Sequence, residues 1–155
     1  MRPWKLVALV LVALPLAACG GGGAGVGGGP APAGLQAAAP ASAVEQFMGF
    51  AKQERFTEMG YLFGSVRGPL AESQAPQRVA RRMQAIARVI RHDSFSLSGM
   101  VPTPGRPNAR TIMVEMRQGR RTVQVPFVVV QGPGGSWLVE QVDLEAISRE
   151  QTRRS

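Results

Sequence analysis

The residues best suited to acid–base chemistry in this sequence are His92, Asp93 and Tyr61. His92 is the only histidine and Tyr61 the only tyrosine among 155 residues. A histidine changes charge near neutral pH and can transfer a proton when a carboxylate orients it. Neighbouring residues on a strand point to opposite faces, so His92 and Asp93 act together only where the chain turns. We expect them to end a helix instead, and catalysis is the alternative.

Other catalytic and metal-binding chemistry has little support. No G-x-S-x-G nucleophile turn surrounds Ser65, Ser73 or Ser136. A zinc or calcium site needs clustered ligands, whereas this chain has one histidine, one cysteine and scattered carboxylates. The stretch 23–28 (GAGVGG) fits the G-x-G-x-x-G pattern, but it follows no predicted strand and opens no predicted helix. We therefore expect no metal and no cofactor.

A row of arginines is the charged surface that the sequence predicts. The chain has 18 basic and 10 acidic residues, with a net charge of +8. Five arginines stand opposite the apolar stripe of a predicted helix and its end: Arg78, Arg81, Arg82, Arg88 and Arg91. Such a charged helix face is usually only solvated. The alternative is that it contacts anionic lipid headgroups or lipopolysaccharide phosphates, because arginine suits bidentate contacts with phosphate. Nucleic acid is not expected, because no aromatic residues are interleaved.

Cys19, the only cysteine, ends a predicted export signal. Arg2 and Lys5 supply a positive start, and residues 6–14 (LVALVLVAL) form a nine-residue apolar run that is too short to span a bilayer. The last four residues of the signal resemble the lipobox of bacterial lipoproteins: Leu16, Ala17, Ala18 and Cys19. The resemblance implies acyl chains on the Cys19 sulfur and cleavage before it. An ordinary secretory signal followed by an incidental cysteine is the alternative.

The expected location follows from this anchor. Two or three acyl chains hold a protein stably at a membrane, because each buried methylene contributes about 0.8 kcal/mol. In many Gram-negative cells an aspartate after the cysteine retains a lipoprotein at the inner membrane, and here that residue is Gly20. We therefore predict an exported, lipid-anchored protein, at the outer membrane if the cell has one.

The chain is predicted to divide into four segments. Residues 1–18 form the signal peptide, and residues 19–41 form the lipidated cysteine with a Gly/Pro/Ala tether that lacks periodicity. Residues 42–145 form a single α+β domain, which is long enough to bury a modest core. Residues 146–155 form a polar tail. A lone cysteine forms no internal disulfide, so the core alone must stabilise the domain.

Three helices are predicted in the first half of the domain. Ser42 and Glu45 fit a capping box at the start of the first helix. A shorter aromatic helix follows, and residues 64–69 are predicted to be a loop. The third helix begins at Pro76, where a first-turn proline is tolerated, and ends near Ile90.

Four strands are predicted in the second half. Apolar residues alternate at residues 94–98, 110–117, 122–130 and 137–143, which are separated by turn residues. Pro126 lies inside the third of these runs and demands an edge position or a bulge. Helices followed by antiparallel strands indicate an α+β fold in which the helices pack on one face of the sheet.

Residues 44–48 (VEQFM), the short aromatic helix and residues 136–140 (SWLVE) together resemble a nuclear-transport-factor-2-like domain over residues 41–144. The resemblance implies a cone in which N-terminal helices and a curved antiparallel sheet of about four strands enclose a pocket. A cystatin-like fold, with one helix on a sheet, is the alternative, and three predicted helices disfavour it.

The predicted function is that of a membrane-anchored envelope lipoprotein with a small, non-enzymatic accessory domain. Its domain would bind a small apolar ligand in the cone, another envelope protein or anionic headgroups, and it could form a homodimer through the sheet. The alternative that the resemblance implies is an isomerase or cyclase of the ketosteroid-isomerase kind that uses His92, Asp93 or Tyr61. Such an enzyme needs these three side chains to line one pocket.

Overall fold

Helices pack on one face of a four-stranded antiparallel sheet, which confirms the predicted α+β fold. The computed structural model describes residue 29 and residues 31–152, the last three by their backbone alone. In chain order the elements are α1 Pro40–Lys52, α2 Phe56–Leu62, β1 Gly64–Ser65, β2 Gly68–Pro69, α3 Leu70–Ser73, α4 Pro76–Val89, β3 Ser94–Thr103, β4 Arg106–Gln118, β5 Arg121–Gln131, β6 Trp137–Val142 and α5 Leu144–Thr152. The long strands follow one another in the sheet in the order β3-β4-β5-β6.

The start of α1 differs from the predicted capping box. The N-cap residue is Ala39, whose backbone is extended, and Pro40 occupies the first turn, where its missing N–H costs no helical hydrogen bond. No side chain caps this end, so Ser42 and Glu45 do not form the predicted box. The apolar face is nevertheless the expected one, with Phe47 and its helical neighbours buried.

Residues 64–69 form a small hairpin instead of the predicted loop. Strands β1 and β2 pair antiparallel with each other. Phe63, immediately before β1, forms a parallel bridge with Val139 of β6. The hairpin therefore adds backbone pairing along the outer edge of β6, which sequence periodicity over such short strands could not reveal.

Pro126 lies in an inner strand, but β6 ends before it reaches this residue, so one side of Pro126 is unpaired as at a sheet edge. Strand β5 lies between β4 and β6, and Pro126 pairs with Met113 on the β4 side. On the other side, pairing with β6 begins only at Phe127 and Val142, and the Asp143 amide donates to the Pro126 carbonyl over 3.0 Å. Because the N and C=O of one strand residue face the same side, the missing N–H lies beyond the end of β6 and costs no ladder hydrogen bond.

Aromatic rings join the helices to the sheet. The fully buried ring of Phe47 lies 6.0 Å from that of Phe63 and 6.4 Å from that of Phe127, centroid to centroid, and meets the latter edge-on at 74°. Other buried side chains complete the core: Val44, Met48, Met59, Leu62, Val79, Met83, Ile112, Val114, Met116, Val125, Val129 and Val139. These side chains occupy the space between the helices and the sheet.

The folded domain extends at both ends beyond the predicted boundaries of 42 and 145. Ala37 is only 1% exposed, and its carbonyl accepts a 2.8 Å hydrogen bond from the Trp137 amide, so part of the predicted tether is packed. At the other end, residues 144–152 form α5 rather than a polar tail. Ile147 anchors this helix in the core with 1% exposure.

The closest approach of α2 to α4 depends on Gly60, because a Cβ at this position would overlap Cγ1 of Val79. We expect Gly60→Ala to lower the free energy of unfolding by about 1–3 kcal/mol, the usual cost of overpacking. Gly49→Ala in α1 is the control, since its nearest neighbour would lie 4.0 Å away. This control should gain up to about 1 kcal/mol of helix propensity. Urea unfolding measures the free energy of unfolding of the two variants. An equal increase in both would show that α2 and α4 can separate slightly without cost.

Candidate functional site

Helix α4 presents four arginines and no acidic residue to solvent. Its apolar stripe of Val79, Met83 and Ile86 is buried, which fixes the opposite face outward. The predicted arginines Arg78, Arg81, Arg82, Arg88 and Arg91 are all exposed. None of them forms an ion pair within the part of the chain that the structure describes. The helix therefore carries a row of arginines, none of them in an ion pair among the described residues, about 20 Å long at 1.5 Å per residue.

The arginines of this row have different surroundings. The Arg82 guanidinium lies 5.0 Å from the centre of the Phe63 ring, in cation–π geometry. Arg88 and Arg91 line a cleft of about 460 Å³ between the ends of α1 and α4. Arg78 and Arg81 are exposed without a partner among the described residues. The structure thus places the five along one side of the domain, with the last two beside a cleft.

The β4–β5 turn adds basic side chains that the sequence analysis did not select. Arg117, Arg120 and Arg121 flank or form this turn, and all three are exposed. The Gln118 side chain fixes the turn to the end of α4, donating to the Val89 carbonyl over 3.1 Å and to the Arg91 carbonyl over 2.6 Å. A turn that carries three exposed arginines is therefore held against the end of α4.

Asp93 provides the second connection between the end of α4 and the turn. Its amide donates to the Arg117 carbonyl over 2.8 Å, and its Oδ2 accepts from the Gly119 amide over 2.7 Å. Gly119 has a φ of +62°, which a two-residue hairpin turn requires at its first position and which favours glycine. The Asp93 carboxylate thus has a structural role in the turn.

His92 is buried at the same junction. It is 7% exposed, and its ring meets that of Phe95 edge-on at a centroid distance of 5.2 Å. The Nδ1 atom lies 2.9 Å from the Ile90 carbonyl oxygen, which can only accept, so Nδ1 carries the proton and donates. The Nε2 atom is buried and has no hydrogen-bond partner among the described residues.

The three acid–base candidates lie in two separate places. His92 and Asp93 stand at the junction of α4 and β3, whereas the Tyr61 hydroxyl donates to the Gly29 carbonyl over 3.0 Å and borders a different cleft. The structure brings His92 and Asp93 together but not Tyr61. The shared pocket that the isomerase alternative requires is not formed by these three residues.

The ion pairs among the described residues involve none of the α4 arginines. Burial raises the pKa of the Glu58 carboxyl, but the hydrogen bond and charge of Arg55, 2.7 Å away, outweigh it and leave the pKa below its ordinary value. The hydrogen bond and charge of Glu140 raise the pKa of Arg106 across a 2.6 Å contact. These acids compensate other arginines, which leaves the charge of α4 available to a partner.

Several sequence predictions concern the ends of the chain or ligands. Leu16, Ala17, Ala18 and Cys19 lie outside the described residues. Within residue 29 and residues 31–152, no helix is long and apolar enough to cross a membrane. The same part of the chain holds no group of three or more His, Cys, Asp or Glu side chains that could bind a metal ion.

Comparison with known proteins assigns no activity to this chain. No family model and no curated protein matches it. A solved structure of an NTF2-like protein of unknown function from Cytophaga hutchinsonii is similar, with 13% sequence identity and a TM-score of 0.38. The similarity covers 71% of this chain and 95% of that chain. That protein is itself described as of unknown function.

The connection between α4 and the β4–β5 turn can be tested through Gln118. Gln118→Ala removes two hydrogen bonds, each contributing about 0.5–1.5 kcal/mol net, so we expect the free energy of unfolding to fall by about 1–2 kcal/mol. Gln77→Ala, exposed in the first turn of α4, is the control and should change it by less than about 0.5 kcal/mol. Urea denaturation provides the measurement. Equal stabilities of the two variants would mean that Asp93 alone holds the turn.

Proposed function

We propose that this chain is an exported, lipid-anchored accessory protein whose domain holds anionic headgroups at a membrane surface through the arginines of α4. The observation that carries the proposal is that the arginine row begins beside the point where the N-terminal segment joins the domain. An anchor at Cys19 and the basic face of α4 would therefore act on the same membrane.

The connection runs through α2. The Tyr61 hydroxyl holds the Gly29 carbonyl, and the preceding residue, Gly60, packs directly against Val79 of α4. Arg78 precedes Val79, and Arg82 follows it by one helical turn. The side chain of Arg82 in turn lies over Phe63, immediately after α2. The start of the basic face and the end of the N-terminal segment are thus held together by packing and a hydrogen bond.

The chain between the anchor and the domain is short enough to support this arrangement. Ten residue steps separate Cys19 from Gly29, and such a segment spans at most about 36 Å when fully extended. Basic side chains near an anionic membrane each contribute about 1 kcal/mol, which decays within a Debye length of the surface. Several arginines on one helix therefore supplement the acyl anchor by an amount that salt should weaken.

The domain itself is proposed to be a nuclear-transport-factor-2-like cone that works without catalysis. Support for the fold comes from the element order and from register shifts in β3 and β6, since bulges bend a sheet. Support for a binding role comes from the separate positions of His92 and Tyr61 and from the structural hydrogen bonds of Asp93. Each of these candidate catalytic groups has a role in holding the fold.

The anchor is tested by Cys19→Ala in cells that express the full chain. We expect loss of radiolabelled fatty-acid incorporation and release of the protein from the membrane fraction in high salt, because the thiol is the acyl acceptor and salt weakens the contacts of the arginines. Gly20→Ala serves as the control and should be labelled like the parent chain. Continued labelling of Cys19→Ala would contradict the proposed anchor.

The basic face is tested by replacing Arg78, Arg81 and Arg88 together with glutamine in the chain from residue 19 that carries Cys19→Ala. Binding to vesicles containing phosphatidylglycerol should weaken by at least about tenfold, the equivalent of 1.4 kcal/mol, and vesicles of phosphatidylcholine alone should bind neither protein. Vesicle flotation at low and high salt measures this binding.

The matched control removes the same charge from the ion-paired residues Arg55, Arg106 and Arg149. Exposed ion pairs contribute little to stability, so this variant should fold and should bind vesicles nearly as well as the parent. If both triple variants lose binding equally, net charge rather than the α4 face is responsible, and the proposed surface is wrong.

A further inference from the structure

We propose that the free edge of β3 pairs with β3 of a second copy of this chain, so that the two sheets join into one across a two-fold axis. The inference does not rest on the proposed membrane function, because β3 carries none of the arginines on which that function depends. It assigns the homodimer expected from the sequence to one edge of the sheet rather than to its open face.

The two edges of the sheet are covered differently. At β6, the outer edge pairs with other parts of the chain: the Trp137 amide donates to the Ala37 carbonyl over 2.8 Å, and Phe63 forms a bridge with Val139. At β3, no strand pairs on the side away from β4 in the part of the chain that the structure describes. In an antiparallel sheet, alternate residues of an edge strand direct their N–H and C=O groups away from the neighbouring strand. This edge therefore presents backbone donors and acceptors on which another strand can pair.

Strand β3 is long, exposed and uncharged. None of its ten residues is buried, and its sequence, SFSLSGMVPT, contains no Lys, Arg, Asp or Glu. Met100 and Val101 are 55% and 53% exposed, and a Cβ on Gly99 would meet no atom within 4 Å. Proteins that keep an edge strand unpaired commonly place charged side chains on it. This edge lacks that protection, and its backbone can be approached closely at Gly99.

A second copy is the partner that fits this edge. The open backbone groups require an extended strand, and a second β3 is already extended, whereas a flexible peptide would lose conformational freedom on pairing. The chain has a net charge of +8, so two copies repel each other where their arginines meet. Pairing through β3 brings no charged residues of the two strands together. Two identical antiparallel strands are related by a two-fold axis, which closes the assembly at a dimer.

The side chains of β3 define how strong this pairing can be. Met100 and Val101 are neighbours, so they point to opposite faces and offer an apolar contact on each face of the joined sheet. The register shift between Leu97 and Gly99 interrupts the edge, and Pro102 has no N–H to donate. The interface is therefore short, and small interfaces are typical of weak, reversible complexes.

Sedimentation velocity of the chain from residue 19 carrying Cys19→Ala tests the association. We expect mostly monomer at about 10 μM and a dimer at about 1 mM, as is usual for a small interface. A strict monomer at the higher concentration would overturn the inference. Growth beyond the dimer would also overturn it, because a two-fold pairing uses the free edge of both copies.

A lysine on the edge should prevent the pairing. The longest overlap of β3 with its copy puts the two-fold axis near Gly99, which makes the two Met100 side chains diagonal neighbours about 7–8 Å apart. Met100→Lys places like charges there, so the dissociation constant of the dimer should rise at least about tenfold. Val66→Lys in the β1–β2 hairpin is the matched control, because Val66 is 54% exposed and the change adds the same charge. Equal weakening by both variants would reduce the effect to net charge and overturn the proposed edge.

Single cysteines locate the axis, because the chain carrying Cys19→Ala has no other cysteine. Directly opposed residues of an antiparallel pair have Cα atoms about 4.5–5.5 Å apart, which is within reach of a disulfide. Gly99→Cys should therefore form a disulfide-linked dimer under mild oxidation. Ser94→Cys should not, since ten residues at 3.4 Å each put it about 34 Å from its counterpart. Equal yields at both positions would indicate random collision and contradict the two-fold pairing.

Other occupants of the edge, and other dimer surfaces, give different results. A strict monomer whose β3 amides are protected from hydrogen exchange by an added uncharged Val/Thr peptide would assign the edge to a strand of another protein and overturn self-pairing. A dimer that Met100→Lys leaves unchanged would use another surface, such as the open face of the sheet, and would overturn it as well.

Discussion

The junction between α4 and β3 is the constraint on which the arrangement of charge depends. Within four residues the chain ends a helix, buries an imidazole and starts a strand. Hydrogen bonds from Gln118, Asp93 and Lys52 hold this bend against the β4–β5 turn and the end of α1. Because three elements converge on one short bend, Lys52 lines the same cleft as Arg88 and Arg91 although it lies about 40 positions from them in the sequence.

The core that supports this junction is apolar and closely packed. The Phe47 ring lies within contact range of the Phe63 and Phe127 rings, and Met, Val and Ile side chains belong to the same core. Close packing makes the position of α4 insensitive to the loss of single surface contacts, because dispersion contacts in the interior are numerous. The outward direction of the arginines is therefore a consequence of burying the opposite stripe, and it needs no ion pair to maintain it.

Sequence periodicity predicted the main elements because their burial repeats regularly. The helical stripe of α4 and the alternation in β4 and β5 each have several apolar residues in phase, so the signal is strong. The end of the chain carries no such signal: Ile147 is one apolar residue in a polar segment, and its burial depends on the neighbouring β5. The packing of Ala37 beside Trp137 likewise depends on backbone pairing, which leaves no trace in side-chain pattern.

The candidate site was predictable only in part for a related reason. Helical spacing puts Arg88 and Arg91 on one face, but the approach of Arg117, Arg120 and Arg121 is set by tertiary hydrogen bonds that no local pattern encodes. The missing partner of the His92 Nε2 atom is also a property of the folded interior. A lone histidine at a helix end indicates a junction, and only the structure shows that its Nε2 atom has no hydrogen-bond partner among the described residues.

The backbone pairing of Ala37 with Trp137 has a consequence for how strongly the domain needs to bind. With this pairing and the hydrogen bond from the Tyr61 hydroxyl to the Gly29 carbonyl, the proposed tether ends at Gly29 instead of at residue 41. A shorter tether confines the arginines to a smaller volume above the membrane, where the effective concentration of headgroups reaches the millimolar range. A modest intrinsic affinity would then suffice for occupancy. A segment held in this way strengthens membrane binding through avidity, without requiring a tight site.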